Sequence, residues 1–392
     1  MDKPLFVLDS SLPYLEGLVE QVADVRRLPN RDFTPETIRG ARALLIRSVV
    51  HAGRELLEGS SVEVVATATA GFDHIDADYC AAAGIRWESA PGCNAGGVVQ
   101  YVLSSLVRWS LERGVSLEGK TIGIVGVGNV GGRLAKRVGA LGLRPLLCDP
   151  PRAEREGAEG FVSLETIQRE SDIITLHVPL TRSGQYATEG MVDEAFLQGC
   201  ARRPLLINAC RGPVSPSAAL LKGLELRQIS DLIIDCWEGE PVINKALLER
   251  CFIATPHIAG WTADGKWRGS QMALEAVCRA LDLPLPEGLW DEGVLYTPDA
   301  PRIDLSTFPE EERILRAQLH TCDLKATTQT LKSAPEDFEQ VRRAYRFPRE
   351  ASAYTVVGAY PEEKPLLEQL GFTHRAEQLH TRAVEALLAG AS

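Results

Sequence analysis

The chain has 392 residues, of which 45% are hydrophobic and 24% charged, and its formal net charge at pH 7 is -11. This length predicts two or three domains, and the composition is typical of a globular protein rather than a disordered one. An acidic chain suits neither nucleic acid nor an anionic membrane surface, so we expect neither as a partner. No apolar run is as long as a membrane span, and the N-terminus does not have the pattern of a signal peptide.

Nine cysteines are present, an odd number, and none of them forms a Cys-x-x-Cys pair. This spacing indicates neither a disulfide framework nor a zinc site. We therefore expect reduced thiols, a cytoplasmic location and no bound metal.

The first part of the chain, residues 1–95, alternates short apolar runs with helical stretches. Its predicted strands are LFVLD, ALLIRS, VEVVATATAG and IRWESAP. Such alternation predicts a parallel sheet with helices on both faces, here a flavodoxin-like doubly wound domain. The stretch NAGGVVQYVLSSLVRWSLERG then predicts a long helix.

Six further apolar runs lie between residues 120 and 260. They are KTIGIVGVG, RPLLCDP, DIITLHVPL, RPLLINACRG, DLIIDCWEGEP and CFIATPHIAG. Near-continuous apolar runs are typical of parallel strands that are buried on both faces. They predict a second doubly wound domain, of the Rossmann type, at residues 96–258. The helical stretch around QMALEAVCRALD is expected to pack back on the first domain, as a return segment at residues 259–283.

The composition changes near residue 284, where proline and acidic residues become frequent. From there we predict a small α+β domain at residues 284–392, with helices in EERILRAQLHTC and PEDFEQVRRAY. A cluster of aromatic residues beside VRRAYRFPR suits a two-fold dimer interface. These residues are Phe338, Tyr345, Phe347, Tyr354 and Tyr360. The predicted fold class is thus α/β, with two doubly wound parallel-sheet domains and a small C-terminal dimerisation domain.

The first chemical signal is GVGNVG, where Gly126, Gly128 and Gly131 form the pattern G-x-G-x-x-G. It follows a predicted strand and opens a predicted helix, which is the context that a dinucleotide fingerprint requires. The next strand ends at Asp149, whose carboxylate can accept from ribose hydroxyls and repel a 2'-phosphate. The motif therefore predicts NAD rather than NADP. The alternative is an ordinary glycine-rich turn followed by a surface aspartate.

Polar residues end three later strands. INACRG presents Arg211, DCWEGEP presents Asp235 and Glu240, and TPHIAGW presents His257. The carboxyl ends of parallel strands line the ligand crevice of an open α/β sheet, so we expect Arg211, Glu240 and His257 to converge. Taken alone, His257 is more simply a structural histidine, and Asp235 has the alternative of a structural strand-end acid.

The ordered set GVGNVG, HVPLT, INACRG, DCWEGEP and TPHIAG resembles the D-isomer-specific 2-hydroxyacid dehydrogenases, over residues 40–285. The resemblance implies that Arg211, Glu240 and His257 form a catalytic triad and that the cofactor is NAD. It also implies cofactor contacts at Gly126, Gly128, Asn129, Val130, Gly131, Asp149, Val178, Ala209, Cys210, Arg211, Asp235 and Gly260.

Physical chemistry suits these roles. The Arg211 guanidinium can hold a substrate carboxylate through two parallel hydrogen bonds. His257 can take the hydroxyl proton as hydride leaves the carbinol carbon. Glu240 can orient the imidazole and favour its charged form. Asp235 is expected near the nicotinamide carboxamide.

Two more stretches resemble one branch of this family, which acts on a phosphorylated 2-hydroxy acid. They are LLIRSVVHAGRELLEGSSVEVVATATAGFDHID and the C-terminal FEQVRRAYRFPREASAYTV with LLEQLGF. The resemblance implies oxidation of 4-phospho-D-erythronate in pyridoxal phosphate biosynthesis, and a homodimer formed through the C-terminal domain. It implies substrate contacts at Ser48, Thr69 and Trp261, the last standing where the family usually has tyrosine. Without the resemblance, Ser48 and Thr69 would be ordinary strand-end hydroxyls.

Two alternatives stay open at this point. The enzyme could act on another 2-hydroxy acid, such as 3-phosphoglycerate, although the C-terminal part shows no clear regulatory pattern. The chain could also be a non-catalytic NAD sensor built on the same fold, which an intact triad does not exclude.

Overall fold

The computed structural model describes residues 3–373. Residues 1–2 and 374–392 lie outside this range, and residues 374–392 belong to the predicted C-terminal domain. Its strands are β1 (Leu5–Asp9), β2 (Asp24–Leu28), β3 (Ala41–Ile46), β4 (Val64–Thr67), β5 (Arg86–Glu88), β6 (Thr121–Val125), β7 (Arg144–Cys148), β8 (Ile173–Leu176), β9 (Leu205–Asn208), β10 (Asp231–Ile234), β11 (Ile253–Ala254), β12 (Arg302–Asp304) and β13 (Thr355–Val357).

The α-helices are α1 (Val19–Val22), α2 (Arg54–Leu57), α3 (Ala77–Ala83), α4 (Ala95–Arg113), α5 (Gly131–Arg137), α6 (Pro150–Glu156), α7 (Leu164–Glu170), α8 (Glu194–Gln198), α9 (Ser217–Glu225), α10 (Lys245–Arg250), α11 (Ala263–Ala280), α12 (Arg313–Thr321), α13 (Lys325–Ser333), α14 (Phe338–Ala344) and α15 (Lys364–Leu370). Within residues 3–373, none of the helices combines the length and the apolar character that crossing a lipid bilayer requires.

The chain forms two compact units. Among the described residues, the first contains 3–95 together with 261–296, and the second contains 96–260 together with 297–373. Each unit is built around its own parallel sheet.

The first unit has a five-stranded parallel sheet in the order β2-β1-β3-β4-β5, which is the flavodoxin-like order. The four predicted strands of this region are confirmed as β1, β3, β4 and β5. The strand that the sequence did not predict is β2, DVRRL, where no residue is fully buried. An edge strand can expose its side chains, so it does not need the apolar pattern that marks the central strands.

Helix α11 packs on the sheet of the first unit. Leu274 and Val277 are fully buried in the same core as Phe6 and Leu45. Gly269 allows the close approach, because a Cβ there would lie only 2.5 Å from the carbonyl oxygen of Ala68. The return of the chain after residue 260 therefore completes the core of the first unit.

The second unit has a six-stranded parallel sheet in the order β11-β10-β9-β8-β6-β7. All six predicted strands are present, and β6, β8 and β9 are buried along their whole length. The chain order reverses between β6 and β8, and ligands of such sheets bind beyond the carboxyl ends of the strands at this point. The predicted α/β fold class with two doubly wound parallel sheets is confirmed, and β12 and β13 form a small third sheet.

The C-terminal segment, residues 297–373, differs from the separate domain that the sequence predicted. It belongs to the same compact unit as β6–β11. Leu331 and Phe338, which are 0% and 1% exposed, share a core with Trp237 and Ala254. The reason is that β11 is the outermost strand, and α13 packs against it.

Helix α4 shows how the C-terminal segment is attached. This helix is buried on most sides, and its polar residues recur at four-residue intervals, which places them on one face. Ser104 Oγ accepts from the Gln318 side-chain amide at 3.0 Å, and Arg108 lies 2.5 Å from the Asp323 carboxylate. The Gln100 amide donates to carbonyl oxygens of the same segment. The attachment is therefore partly polar, and hydrophobic periodicity does not reveal it.

Candidate active site

The glycine-rich turn after β6 has the geometry of a nucleotide cradle. Gly126 has a φ of +87°, and a Cβ there would lie 2.6 Å from the carbonyl oxygen of His177. At Gly131 a Cβ would overlap the carbonyl oxygen of Gly126, so only glycine lets α5 pack this close to the turn. Gly128 has no neighbour within 4 Å of its Cβ position, which leaves its backbone open to a ligand. Each glycine thus fits the part that a dinucleotide site requires of it.

Asp149 supports this turn directly. Its carboxylate accepts from the Val127 amide at 2.8 Å and from the Arg152 amide at 3.1 Å, where it caps α6. The Arg152 guanidinium donates to the Val127 carbonyl oxygen at 2.6 Å. The half-buried carboxylate is therefore a structural part of the turn as well as the predicted partner of a ribose.

The other predicted cofactor residues follow β6, β8 and β9. Asn129 is exposed in the glycine-rich turn, and Val130 beside it is half-buried. Val178 follows β8 and Ala209 follows β9, and both are half-buried. Cys210 is buried, and burial raises the pKa of its thiol to about 11, so the thiol is protonated at neutral pH. This agrees with a packing role for Cys210 rather than a nucleophilic one.

Arg211 stands on a tight turn that Asn208 shapes. The buried Asn208 side chain donates to the Arg211 carbonyl oxygen at 3.0 Å and accepts from the Cys210 amide at 3.1 Å. A Cβ at Gly212 would overlap the Trp237 carbonyl group. The Arg211 turn therefore lies against the loop that follows β10, which carries Glu240.

Glu240 and His257 are joined by a hydrogen bond. His257 Nδ1 lies 2.5 Å from Glu240 Oε1, and Glu240 Oε2 accepts from the Trp237 amide at 3.1 Å. Both side chains are about 70% buried, with 30% and 28% of their surfaces exposed. Burial would raise the pKa of the Glu240 carboxyl, but the hydrogen bond and charge of His257 outweigh it and lower this pKa. The pair is thus an imidazole oriented by an ionised carboxylate.

Asp235 forms the turn that presents His257. Its carboxylate, 1% exposed, accepts from the amides of Ile258 and Ala259 at 2.7 and 2.9 Å. Its main-chain oxygen accepts from the His257 amide at 2.8 Å. His257 has a φ of +54°, a region that residues other than glycine rarely adopt, and these bonds stabilise it there. These bonds give Asp235 a structural part in the turn, and its expected contact with the nicotinamide carboxamide stays a prediction.

Two residues that the sequence analysis missed extend this network. Thr255 Oγ1 donates to the Asp235 carboxylate at 2.7 Å, and the buried Tyr101 hydroxyl lies 2.8 Å from the same Oγ1. Because the Thr255 proton goes to Asp235, the Tyr101 hydroxyl must be the donor to Thr255. A tyrosine in an apolar helix gives no sequence signal of such a bond.

Ser48 and Thr69, the predicted substrate residues of the first unit, follow β3 and β4. Ser48 is exposed. The Thr69 hydroxyl donates to the Gly71 carbonyl oxygen at 2.7 Å and so accepts from Thr67 Oγ1, also at 2.7 Å. Thr67 Oγ1 must then accept from His74 Nε2, which lies 2.9 Å away. Burial lowers the pKa of His74 to about 4, so the ring is neutral near pH 7 and holds its proton on Nε2.

Trp261 begins the returning part of the first unit, directly after Gly260, a half-buried residue that ends the first segment of the second unit. The Lys266 ammonium lies 3.9 Å from the centre of the Trp261 ring, a cation–π contact. Lys266 was not predicted as a site residue. It places a positive charge beside one of the predicted substrate contacts in an otherwise acidic chain.

A cavity of about 710 Å³ lies elsewhere in the first unit. Its lining includes Ile85, Trp87, Met272, Ala276 and Ala280. None of the predicted site residues lines it, so we assign it no part in the reaction.

Comparison with known proteins agrees with this geometry. The family model described as D-isomer specific 2-hydroxyacid dehydrogenase, NAD binding domain, matches residues 103–259. The chain is 47% identical to an erythronate-4-phosphate dehydrogenase of Porphyromonas gingivalis over 372 residues, which are 93% of this chain and 99% of that protein. The chain belongs to the erythronate-4-phosphate dehydrogenase family. The predicted resemblance and the predicted cofactor, NAD, are thereby confirmed.

Other members of the erythronate-4-phosphate dehydrogenase family are similar over nearly their whole length. The one from Bacteroides thetaiotaomicron is 44% identical over 90% of this chain and 99% of that protein. The one from Klebsiella pneumoniae is 41% identical over 93% of this chain and 97% of that protein.

Solved structures share the fold at lower identity. A glyoxylate reductase from Paecilomyes thermophila has a TM-score of 0.61 at 19% identity, covering 73% of this chain and 99% of that one. An NAD-bound 3-phosphoglycerate dehydrogenase from Entamoeba histolytica has a TM-score of 0.60 at 23% identity, covering 73% and 98%. About a quarter of this chain thus has no counterpart in these structures.

Proposed function

We propose that this protein oxidises 4-phospho-D-erythronate at C2 with NAD, giving (R)-3-hydroxy-2-oxo-4-phosphooxybutanoate in pyridoxal 5'-phosphate biosynthesis. Relatives that are 41–47% identical to this protein over almost its whole length are named for this activity. The observation that carries the proposal is the bond between Glu240 and His257, because it supplies an oriented acid–base group.

In this reaction His257 is the general base. Its Nδ1 faces Glu240, which leaves Nε2 as the ring atom that takes the proton of the C2 hydroxyl. The ionised Glu240 carboxylate stabilises the imidazolium that forms. In the reverse direction the same nitrogen returns the proton to the carbonyl oxygen.

Arg211 binds the substrate carboxylate. A planar guanidinium matches a carboxylate with two parallel hydrogen bonds, and its charge polarises the nascent carbonyl group. The Asn208 side chain donates a hydrogen bond to the Arg211 main chain, which helps to fix the backbone from which the Arg211 side chain extends.

The residues of the glycine-rich turn would hold NAD, with Asp149 at the end of the next strand favouring it over NADP. Val178, Ala209 and Cys210, which follow the neighbouring strands, are further proposed contacts, together with Asn129, Val130, Asp235 and Gly260. When bound, NAD supplies the acceptor for the hydride that leaves C2.

Ser48, Thr69 and Trp261 are proposed substrate contacts, by their match to the family pattern. We add Lys266 as a candidate for the phosphate group, because it lies against the Trp261 ring and is a cation. A chain with a net charge of -11 repels a phosphorylated acid at long range, so local cations must bind it.

We also propose a homodimer that forms through the C-terminal segment. Of the aromatic residues predicted for the interface, Phe338 and Tyr354 are only 1% and 7% exposed within the protomer, so they cannot form it. Tyr360 is 44% exposed and is the most exposed of the candidates that remain, with Tyr345 and Phe347 half-buried. Sedimentation of the wild type and Tyr360→Ser tests this proposal, and a monomeric wild type would overturn it.

A cytoplasmic location belongs to the same proposal. All nine cysteines are buried free thiols, which suits a reducing compartment.

The activity is tested by following NADH absorbance with a panel of 2-hydroxy acids. We expect turnover with 4-phospho-D-erythronate and much weaker turnover with D-erythronate and 3-phosphoglycerate. Turnover of 3-phosphoglycerate alone would establish the other 2-hydroxyacid activity, and NAD binding without any turnover would indicate a sensor. Lys266→Met should raise the KM for 4-phospho-D-erythronate more than its kcat falls.

A further inference from the structure

The strand that leads to His257 is short and lies at the edge of its sheet. β11 has two residues, Ile253 and Ala254, and its sheet neighbour is β10 on one side. Three positions separate Ala254 from His257. The placement of Ala254 therefore bears directly on the placement of the imidazole.

Helix α13 of the C-terminal segment covers the other side of β11. Thr328 Oγ1 accepts from the Ala254 amide at 3.2 Å, and Thr328 is 7% exposed. A buried amide of an edge strand requires a partner, and here a side chain from the C-terminal segment supplies it.

A second contact lies one helical turn further along the same face of α13. Lys332 Nζ donates to the Cys251 carbonyl oxygen at 2.7 Å and to the Glu249 carbonyl oxygen at 3.3 Å. Leu331 between these contacts is fully buried in the same core as Ala254. The helix thus binds both the residues that enter β11 and the strand itself.

A two-residue edge strand is a weak element by itself, since it makes few ladder bonds. The contacts of α13 add to the few that β10 provides.

We propose that α13 positions His257, with Thr328 as the principal positioning residue and Lys332 as the second. The inference rests on the proposed function of His257 as the acid–base group. Thr328 and Lys332 fix β11 along its free side, and the turn held by Asp235 transmits that position to the imidazole. At 2.5 Å, the bond from His257 to Glu240 tolerates little displacement of β11.

The decisive comparison is between Thr328→Val and Thr328→Ser, in the full-length protein. Valine keeps the shape and removes the acceptor, whereas serine keeps the acceptor. We expect Thr328→Val to lower kcat about tenfold, because displacements of about 1 Å remote from the chemistry cost up to about 100-fold. The KM for NAD should stay within about twofold, because the bonds of Thr328 and Lys332 go to β11 and to the residues just before it, and not to the glycine-rich turn. Thr328→Ser should restore kcat.

Thr330→Val is the matched control, because Thr330 is an exposed threonine of the same helix whose hydroxyl bonds only one turn back, to Ala326. Its kcat should equal that of the wild type. Lys332→Met gives an independent test if Thr328→Val does not fold, and it should lower kcat in the same way with an unchanged KM for NAD.

A readout besides activity is the NMR signal of the His257 ring, assigned by its loss in His257→Gln. It should shift in Thr328→Val, return in Thr328→Ser and stay in place in Thr330→Val. A folded Thr328→Val or Lys332→Met with wild-type kcat and an unmoved His257 signal would overturn the inference. A wild type that does not oxidise 4-phospho-D-erythronate would instead defeat the proposed function, while the NMR comparison would still test the positioning.

Discussion

His257 Nδ1 lies 2.5 Å from Glu240 Oε1, although the two residues follow different strands, β11 and β10. The contact depends on the buried Asp235, which accepts hydrogen bonds from the amides that follow His257. An acid–base group is useful only if its orientation and tautomer are fixed before the substrate arrives. The pair Glu240–His257 meets this condition through hydrogen bonds within one unit of the protein.

Removal of the imidazole tests the assignment of the acid–base group. His257→Ala should lower kcat at least about 100-fold, the usual scale for loss of a general base. The Kd for NAD, measured by calorimetry, should change little. His320→Gln is the control, because that exposed histidine lies on α12 and bonds only to a main-chain oxygen. Near-normal turnover in His257→Ala would disprove the assignment.

Asp149 is expected to have two effects, on cofactor preference and on the support of the glycine-rich turn, and two variants separate them. Asp149→Asn keeps an acceptor for the Val127 or Arg152 amide and removes the charge, so preference for NAD over NADP should decrease. Asp149→Ala also removes the acceptors and should weaken the binding of both cofactors, because the glycine-rich turn loses its support. Titrations with NAD and NADP check both statements. Equal use of NAD and NADP by the wild type would be inconsistent with this role.

The lowered pKa of His74 predicts that the folded protein loses stability in mild acid. Its pKa is lowered from the ordinary 6.5 to about 4 by burial, so between these values the unfolded chain binds a proton that the folded chain does not. The free energy of unfolding therefore rises with pH in this window and falls on acidification. From pH 7 to pH 5 the loss attributable to His74 should be about 2 kcal/mol.

Urea unfolding of the wild type and His74→Gln at both pH values measures this difference. The variant should lose less stability on acidification, whereas His320→Gln should follow the wild type. The same dependence in all three proteins would show that His74 is not its source.

The C-terminal segment should be required for the stability of the second unit. Leu331→Ala should lower the free energy of unfolding by about 2–5 kcal/mol, the range for a large-to-small change in a core. Leu226→Ala, at a position 57% exposed, should change it by less than about 0.5 kcal/mol. Calorimetric melting of the wild type and the two variants measures this difference.

For the same reason, a chain truncated after residue 296 should not give a folded NAD-binding monomer. Calorimetric melting of the truncated chain beside the full-length protein tests this expectation.

The parallel strands of both units could be predicted from the sequence because each central strand must be apolar on both faces. The edge strand β2 has no such requirement and was missed. The glycine pattern at residues 126–131 could also be predicted, since the tight turn at Gly126 and the close packing contact at Gly131 exclude a Cβ, and Gly128 leaves the backbone open to a ligand. These are local constraints, so a stretch of sequence displays them.

The contacts of Asp235, Tyr101 and Thr328 were decided only by the tertiary structure. Tyr101 lies 154 positions from its partner Thr255, and Thr328 lies 74 positions from Ala254. Such hydrogen bonds join single polar atoms across helices and strands, and they leave no periodic pattern in either partner. The sequence by itself determined the two sheets and the glycine-rich turn, and it singled out Arg211, Glu240 and His257 as the residues proposed for catalysis. The tertiary structure decided that Asp235 holds the turn that presents His257 and that the C-terminal segment packs into the second unit. The physical reason is that buried polar atoms and the edge strand β11 find their partners only on segments distant in sequence.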